Sequence, residues 1–512
     1  MVTNSREDAT GPARRGLLVA GAAAAATVGG VGSAHADGTG ERPAGTRVIR
    51  GTLPPGSPDY AYLPFAVGRG VREIHVSYAY ERPAVPSGTL GNALDIGLFD
   101  ERGTALGGEG FRGWSGGARQ EFFVRSDAAT PGYLPGPVRP GTWHVALGPY
   151  TIAPQGLAYE VTVTLRYGTP GGPAPLPTYP PERARGRGRA WYRGDCHLHS
   201  WHSDGRRTPA EIAALARAAG LDFVNSSEHN THAAHAHWAD AAGDDLLVLL
   251  GEEVTTRTGH ALAVGTDPGT FVDWRYRARD GHFGRFARQI RRAGGLVVPA
   301  HPYAACLGCA WKHGFADADA VEVWNGSYGP DDEVALQAWD AELARGRWIP
   351  AMGGSDAHRD PDPVGTPQTV VLADDLTRPA VLDGLRAGRS YVAESRAVTL
   401  DFGASDGRGA RAGIGERLRT EPGGPVTVRL AASGTPGCTV RFVTDQGVAH
   451  SALLPAAGEG VVTWRTSARV AACVRAEVRH PPTAPGLPGA LAAFTNPVFL
   501  GGQERPRGAH PR

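Results

Sequence analysis

The chain has 512 residues and a formal net charge of +1 at pH 7, and its length predicts about two to four domains rather than one. The near-zero charge argues against a nucleic acid or an anionic membrane as partner, because both attract strongly basic surfaces. The 72 glycines and 41 prolines indicate many turns between strands.

The start of the chain has the composition of an export signal. Arg14 and Arg15 precede a run rich in alanine, glycine and valine, and Ala34 and Ala36 supply the small residues of a signal-peptidase site. The arginine pair resembles a twin-arginine signal, which exports folded proteins. We therefore expect residues 1–36 to be removed and the protein to be secreted or extracytoplasmic, without a transmembrane segment. A membrane anchor is the alternative, which the alanine- and glycine-rich composition disfavours.

Two parts of the chain show the alternation of polar and apolar residues that is typical of strands. Residues 47–168 contain runs such as REIHVSYAY and YEVTVTLRY and predict an N-terminal β-sandwich. Residues 398–500 contain VTVRLAA and CVRAEVR and predict a smaller C-terminal β domain. Residues 169–190, rich in proline, glycine and arginine, predict a linker.

Between these parts, residues 191–397 alternate apolar strands, such as LLVLLGEEV and GLVVPAHP, with helices. One helix start is clear in TPAEIAALARAAG. Thr208 is suited to the N-cap, Pro209 to the first turn, and Glu211 completes a capping box. This alternation predicts an α/β region built on a parallel sheet or barrel.

Twelve of the 18 histidines lie in this α/β region, and six of them stand where predicted strands end. Such strand ends are where α/β folds assemble their sites. Three carboxylates accompany the six histidines, and the nine candidate metal ligands are His197, His199, Asp204, His229, Glu253, His260, His301, Asp356 and His358. Because alternate strand residues point to the same side, His197 and His199 can bind one ion. Imidazole with carboxylate suits Zn, Mn or Fe, and this many ligands predicts two or three divalent ions.

Each ligand has a structural alternative when it is considered alone. One His-x-His is a weak signal, His229 can be a buried core histidine, and Asp204 can belong to a turn. The ordered set of six segments, each with a ligand at a strand end, is what favours a metal site.

The five cysteines leave several pairings open, since disulfides form in exported proteins and sequence does not fix their connectivity. Cys306 and Cys309 can form a local bridge or supply thiolate ligands. Cys438 and Cys473 lie in strand-like segments and are expected to pair. Cys196 is then left, with buried packing as its expected role.

The ordered motifs between residues 191 and 397 resemble those of the PHP superfamily, named for polymerases and histidinol phosphatases. They are His-x-His followed by Asp, Glu-His-Asn, Gly-Glu-Glu-Val-Thr, Gly-His, Ala-His-Pro and Ser-Asp-Ala-His. The CehA/McbA-type metallohydrolases of that superfamily are the most similar. The resemblance implies a distorted (β/α)7 barrel, here flanked by the two β domains.

The resemblance also implies how the nine ligands divide among three ions. The first group is His197, His199 and Asp356, which Glu253 bridges to a second group of His260 and His301, and the third is Asp204, His229 and His358. The Gly-x-Glu spacing selects Glu253 and turns Glu252 to the other face of its strand. Glu228 stands where the family often has aspartate, so it is either an extra ligand or a neighbour of the ligands. Asp356, Glu253 and His301 are assigned the catalytic role.

The activity that the resemblance implies is that of a secreted metal-dependent hydrolase. A hydroxide bridging the ions would attack phosphorus or an acyl carbon. A phosphoesterase acting on a small phosphate ester is the first expectation. Arg257, Arg359 and Lys312 can neutralise its phosphate, although each also suits a solvated surface, and Asn325 can line the pocket.

Two other activities stay open at this point. A carboxyl-ester or carbamate hydrolase of CehA/McbA type would use the same metal centre. A non-catalytic, metal-containing protein that binds cell-wall glycan through its β domains is the alternative outside the enzymes.

Overall fold

The computed structural model describes residues 45–169, 172 and 176–502. The export signal predicted for residues 1–36 lies outside these residues. Among the described residues, no helix combines the length and the apolar character needed to cross a membrane. The fold is mixed α/β, with many strands and few helices.

The first region consists of strands alone. They are β1 (Gly45–Leu53), β2 (Ala61–Val67), β3 (Val71–Tyr80), β4 (Ala93–Phe99), β5 (Phe111–Gly116), β6 (Glu121–Arg125), β7 (Gly141–Thr151) and β8 (Leu157–Tyr167). They form two antiparallel sheets, in the orders β1-β8-β3-β6 and β2-β7-β4-β5. Val76 and Val161 of one sheet and Ile96 and Val145 of the other are buried in one core. Since alternate residues of a strand share a face, each sheet turns one side towards this core.

The middle region alternates strands with helices. Its elements are β9 (Ala190–Asp195), α1 (Pro209–Ala218), β10 (Phe223–Ser226), α2 (Ala239–Ala242), β11 (Leu247–Leu250), β12 (Glu252–Thr256), β13 (Gly259–Val264), α3 (Phe283–Arg292), β14 (Leu296–Ala300), β15 (Val321–Asn325), α4 (Pro330–Ala344), β16 (Ala351–Gly354), β17 (Gln368–Ala373), α5 (Arg378–Arg386) and β18 (Ser390–Ala393). The capping box predicted for α1 is present: Thr208 accepts from the Glu211 backbone, and the Glu211 carboxylate accepts from the Thr208 backbone.

The strands of the middle region are only partly parallel. β9, β10 and β11 are parallel neighbours, as are β15 and β16. β12, β13 and β14 form a separate antiparallel sheet. Two residues join β12 to β13, too few for the crossover that parallel strands need, so the chain must reverse there. The predicted strand–helix alternation therefore fails at this point.

The last region adds β19 (Thr399–Asp406), β20 (Arg411–Gly413), β21 (Arg417–Leu418), β22 (Val426–Ser433), β23 (Thr439–Thr444), β24 (Gly447–Leu453), β25 (Gly460–Thr466), β26 (Cys473–Arg479), β27 (Leu491–Thr495) and β28 (Val498–Leu500). β27 pairs with β18, placing Tyr391 opposite Thr495. One sheet therefore runs from β11, β10, β9, β17 and β18 into β27, β26, β23 and β24. The division of the chain into separate domains stays a prediction.

The described end of the predicted linker packs against the middle region. Ala184 is buried in the core beneath β9. Arg187 pairs with Asp222, with 2.7 Å between Nη1 and Oδ1. Residues 176–190 are therefore anchored by an apolar contact and an ion pair.

The cysteines follow the sequence prediction in part. Cys306 and Cys309 form a disulfide, and Cys196 is buried and free. Cys438 and Cys473 are also buried and free, so their predicted pairing is wrong. β23 and β26 are antiparallel, with Thr439 opposite Arg479 and Thr444 opposite Val474, which puts the two thiols at opposite ends of the strand pair. A disulfide needs Cα atoms within about 7 Å.

Candidate metal centre

The nine predicted ligands converge at the ends of strands in the middle region. Loops after β9, β10, β14 and β16 carry seven of them, and β12 and β13 carry Glu253 and His260. Their ligand atoms form four overlapping groups, within each of which all the atoms lie no more than 4.8 Å apart. The groups are His197, His301 and Asp356; His197, His199 and Glu253; Glu253, His260 and His301; and His199, Asp204, His229 and His358.

The tightest cluster joins the two histidines of His-x-His to two carboxylates. The Nε2 atoms of His197 and His199 lie 3.2 Å apart. Asp356 Oδ1 is 3.3 Å from the first and 3.1 Å from the second, and Glu253 Oε2 is 3.5 Å from both. Ligands held about 2.0–2.2 Å from a tetrahedral ion are separated by about 3.3–3.6 Å. His197, His199 and Asp356 therefore have about the spacing of ligands to one ion, and Glu253 Oε2 approaches both histidines at a similar distance.

Glu253 faces two clusters with its two oxygens. Oε2 faces His197 and His199, while Oε1 lies 3.0 Å from both His260 Nδ1 and His301 Nε2. Oε2 is buried and also lies 2.8 Å from His229 Nδ1, its shortest contact with a histidine. A carboxylate placed in this way can bridge two cations, so the geometry fits the bridging role implied for Glu253.

The third cluster gathers around Asp204. Its Oδ1 atom lies 3.5 Å from His229 Nε2 and 3.3 Å from His358 Nε2. The His199 ring stacks on those of both His229 and His358, with centroids 4.3 and 4.2 Å away. The Asp204 side chain is 38% exposed, although its Oδ1 atom is buried against the two histidines.

The carboxylates of the centre are in the ionised form that a metal requires. Burial alone would raise the pKa of Glu253, but His229 and His197 outweigh burial and hold it well below its usual value. The pKa of Asp356 is likewise lowered against burial, with His197 as the main cause. Burial, with the neighbouring His358 and His229, lowers the pKa of His199 to about 3. Metal ligands bind as carboxylates and neutral imidazoles.

Other histidines of the centre respond mainly to the carboxylates. Burial opposes protonation of His229 and His358, yet their pKa values rise to about 9 and about 10. Glu253 is the main cause at His229, and Asp204 at His358. The centre thus concentrates negative charge that attracts protons or cations, and metal binding must displace those protons.

Backbone strain occurs at the same place. Among the described residues, the non-glycine residues with positive φ are Asn230, His301 and Asp356, at 56°, 27° and 50°. Two are proposed ligands, and the third follows His229. Such conformations cost about 1–3 kcal/mol each and persist only where surrounding contacts impose them. The strained backbone conformations thus occur at or next to the residues that direct ligands into the centre.

A second layer of groups orients the ligands. Glu322 Oε1 lies 3.0 Å from His197 Nδ1, and Glu322 Oε2 accepts from the backbone N–H of His301 at 2.7 Å. Asn325 donates to Glu322 at 3.2 Å. Glu228 accepts hydrogen bonds from Ser200 and Ser203 and so supports the loop that carries Asp204. Glu228 therefore lies beside the ligands, and its carboxylate oxygens are already hydrogen-bonded to that loop.

Replacing Glu322 by glutamine tests this support. We expect hydrolysis to fall by about tenfold to a hundredfold, because carboxylates behind metal-bound histidines fix ring orientation and basicity. Steady-state rates and metal affinity, measured by competition with a chelator, would check this. Wild-type metal affinity in Glu322→Gln would contradict the orienting role.

The four predicted substrate-binding residues have different surroundings. The Arg257 side chain is buried, with 7% of its surface exposed. Lys312 and Arg359 are exposed, and no ion pair holds either side chain among the described residues. The amide of Asn325 is buried against Glu322 and His197. The substrate-binding role of these residues stays a prediction.

Sequence reasoning missed the neighbours that the first region brings to Arg257. They are Asp95 on β4, Tyr60 just before β2, and Tyr150 on β7. One signal was available, since Asp95 interrupts the apolar run LDIGLF of a strand buried along most of its length. The tyrosines offered no such signal, because they fit an ordinary strand pattern.

No family model matches the sequence, and the search of curated proteins finds no relative. Among solved structures, a two-domain protein from Bacteroides vulgatus containing a predicted PHP-like metal-dependent phosphoesterase is 17% identical, covers 63% of this chain and 100% of its own, and has a TM-score of 0.36. An amidohydrolase from Chromobacterium violaceum, with bound sulfate and no metal, is 20% identical. The match covers 34% of this chain and 89% of the amidohydrolase, with a TM-score of 0.26. A proposed metal-dependent phosphoesterase from Bifidobacterium adolescentis is 20% identical. The match covers 36% of this chain and 92% of that protein, with a TM-score of 0.27. With TM-scores this low, the similarity does not support a function. Any function must be argued from the side chains of this chain.

Proposed function

We propose that this protein is a metal-dependent phosphoesterase of the PHP superfamily that holds two or three divalent ions. One observation carries the proposal: Glu253 lies between two groups of imidazoles and faces each with a different oxygen. A structural metal site is usually closed by four ligands, whereas catalytic sites keep an open position. The partly exposed Asp204 and His358 side chains leave such an opening.

Each residue has a defined part in this chemistry. Divalent ions bound here would supply an activated water at neutral pH and a Lewis acid for the ester oxygen. Glu253 holds two clusters in a fixed relation, and Asp356 completes the first beside His197 and His199. His301, aimed by its strained backbone and by Glu322, contacts Glu253 from the side of the second cluster. These groups are fixed before substrate arrives, so little reorganisation is needed.

The charge of the centre favours phosphate over a neutral ester. Only three of the nine ligands are carboxylates, namely Asp204, Glu253 and Asp356. Three divalent ions would bring six positive charges against three negative ones, and an excess remains when one bound hydroxide is counted. A phosphate dianion is attracted to such a centre more strongly than a neutral carboxyl ester or carbamate.

Two further features belong to the proposal. We infer that the chain is exported by its twin-arginine-like signal. We also infer that the strands of the middle region close into an irregular barrel, with the antiparallel β12–β14 sheet as one side. The convergence of the loops after β9, β10, β14 and β16 on one centre supports this, because the carboxyl ends of strands meet at one rim in a barrel.

The decisive experiment combines elemental analysis with a substrate panel. Protein purified without chelator is expected to contain two or three Zn, Mn or Fe ions per chain, and to hydrolyse an aryl phosphate. Chelation should abolish turnover, and restoring the metal should recover it. Turnover of aryl esters or carbamates with phosphate esters inert would replace the phosphoesterase by a CehA/McbA-type esterase. Bound ions with no turnover on any ester would favour a binding protein.

A further inference from the structure

Arg257 lies just beyond the strand that carries Glu253. Alternate residues of β12 share a face, so Glu253 and Thr255 point towards the metal ligands, and Thr255 Oγ1 lies 2.7 Å from His229 Nδ1. Arg257 follows Thr255 by two residues, at the turn between β12 and β13, and is outside the ligand set.

The surroundings of the Arg257 guanidinium come from the first region. Its carbon lies 4.6 Å from the ring centroid of Tyr150 and 5.3 Å from that of Tyr60. Such cation–π contacts hold a guanidinium in place without occupying its N–H groups. The hydroxyl of Tyr150 donates at 2.9 Å to the Leu307 carbonyl, inside the loop closed by the disulfide. The first region and the disulfide loop thus meet at Arg257.

The space beside Arg257 depends on a glycine. Gly148 on β7 faces Asp95 across the β4–β7 pair. A methyl group at this position would lie 3.2 Å from Arg257 Nη2 and 2.8 Å from the Trp114 ring. Only glycine leaves the guanidinium and the aromatic ring in their present places.

The guanidinium is buried without its full set of hydrogen bonds. Nε and Nη2 of Arg257 find no hydrogen-bond partner among the described residues, and neither does Oδ1 of Asp95. The contact between Nη2 and Asp95 Oδ2, at 3.8 Å, is too long for a hydrogen bond. Leaving buried donors unsatisfied is costly, and more so when they are charged. A ligand whose oxygens accepted hydrogen bonds from Nε and Nη2 of Arg257 would remove that cost.

Asp95 neutralises Arg257 only in part. Burial raises the pKa of Asp95 to about 7, with Arg257 and His229 lowering it and Asp204 raising it. The carboxyl group is then only partly ionised near neutral pH, which leaves net positive charge between the two side chains. His229 and Asp204, two of the proposed ligands, are among the charges that act on Asp95.

We propose that Arg257, held between Tyr60 and Tyr150, forms an anion subsite that binds a second negatively charged group of the substrate. This inference rests on the proposed function. The substrate class it names is a small phosphate ester that carries a further carboxylate or phosphate, one group at the metal centre and the other at Arg257. The guanidinium fork matches either group in a two-point contact. The first region is thereby part of the substrate site.

The test measures binding, not turnover. Metal-loaded protein is titrated calorimetrically with ω-phosphonocarboxylates of two to six carbons and with alkylphosphonates of the same lengths. We expect at least one phosphonocarboxylate to bind about tenfold tighter than its alkyl counterpart, as a charged hydrogen-bonded contact provides. Arg257→Gln should abolish this preference and leave the affinity for alkylphosphonates within about twofold, because the ions that hold the phosphonate are untouched. If Arg257→Gln preferred phosphonocarboxylates over alkylphosphonates as strongly as the wild type does, the subsite would be rejected.

Arg275→Gln is the matched control. Arg275 is a buried arginine at the same junction, but Asp273 and Tyr62 accept its hydrogen bonds. Its loss should lower stability and leave the preference for phosphonocarboxylates intact. Loss of the preference in Arg275→Gln as well would attribute it to general packing and reject the subsite.

Asp95→Asn gives a second measurement that does not require removal of Arg257. It removes the internal competitor for the guanidinium, so phosphonocarboxylates should bind about threefold tighter, the effect expected for a loosely paired charge. Weaker or unchanged binding would count against the subsite. Absence of any preference in the wild type would overturn it, whether or not phosphate esters are hydrolysed. A preference without hydrolysis of any ester would leave the subsite in place and remove the proposed enzyme function.

Discussion

Replacing Glu253 by glutamine is expected to lower phosphate-ester hydrolysis by about a thousandfold or more, because the ions that activate water lose their shared ligand. Glu253 contacts the clusters of His197 and His301 with different oxygens, and an amide cannot serve both as an anion. Elemental analysis should show fewer ions per chain, and steady-state rates on an aryl phosphate should show the loss. Full metal content with full activity would refute the bridging role.

The neighbouring residue provides the control. Glu252 points to the other face of β12, where its Oε2 accepts from the backbone N–H of Val272 at 3.1 Å. Burial raises its pKa well above the usual value, which favours the neutral acid. Glu252→Gln replaces it by a neutral group of the same shape and should retain wild-type metal content and activity. An equal loss in both variants would indicate a general disturbance of the strand.

Gly354→Ala is expected to reduce activity by about a hundredfold, because a ligand displaced by about 1 Å loses productive geometry. A methyl group at Gly354 would lie 2.6 Å from Cβ and 2.7 Å from the backbone nitrogen of His197. The backbone of His197 cannot yield independently, since it accepts a hydrogen bond from the N–H of Asp356 at 2.7 Å. One added methyl group therefore disturbs two ligands, as rates and elemental analysis would reveal.

Gly68→Ala is the corresponding control. Gly68 follows β2, and a methyl group there would meet no atom within 4 Å. The same substitution should then leave metal content and activity unchanged. Wild-type values in Gly354→Ala would mean that the strand end yields without moving the ligands.

Local patterns predicted much of the candidate metal centre. The two-residue period of an extended chain is a backbone property, so His-x-His already implied that His197 and His199 share a side. The same period distinguished Glu253 from Glu252, whose carboxyl groups lie on opposite faces of β12. The capping box of α1 is equally local, since Thr208 and Glu211 are three residues apart.

Distant pairings could not be predicted in this way. Cys438 and Cys473 both lie at strand ends, but the register between β23 and β26 separates them. The chain direction reverses between β12 and β13 because the two residues that join them are too few for the crossover between parallel strands. The contact of Asn325 with His197 likewise joins residues far apart in the chain.

The sequence by itself determined which side chains of the middle region end up at strand ends, and with them the ligand types of a metal centre. Only the tertiary structure decided how those ends meet, that Glu253 faces two clusters, and that Tyr60, Asp95 and Tyr150 surround Arg257. The physical reason is range: backbone periodicity acts over a few residues, whereas contacts between residues 95 and 257 depend on how whole sheets pack.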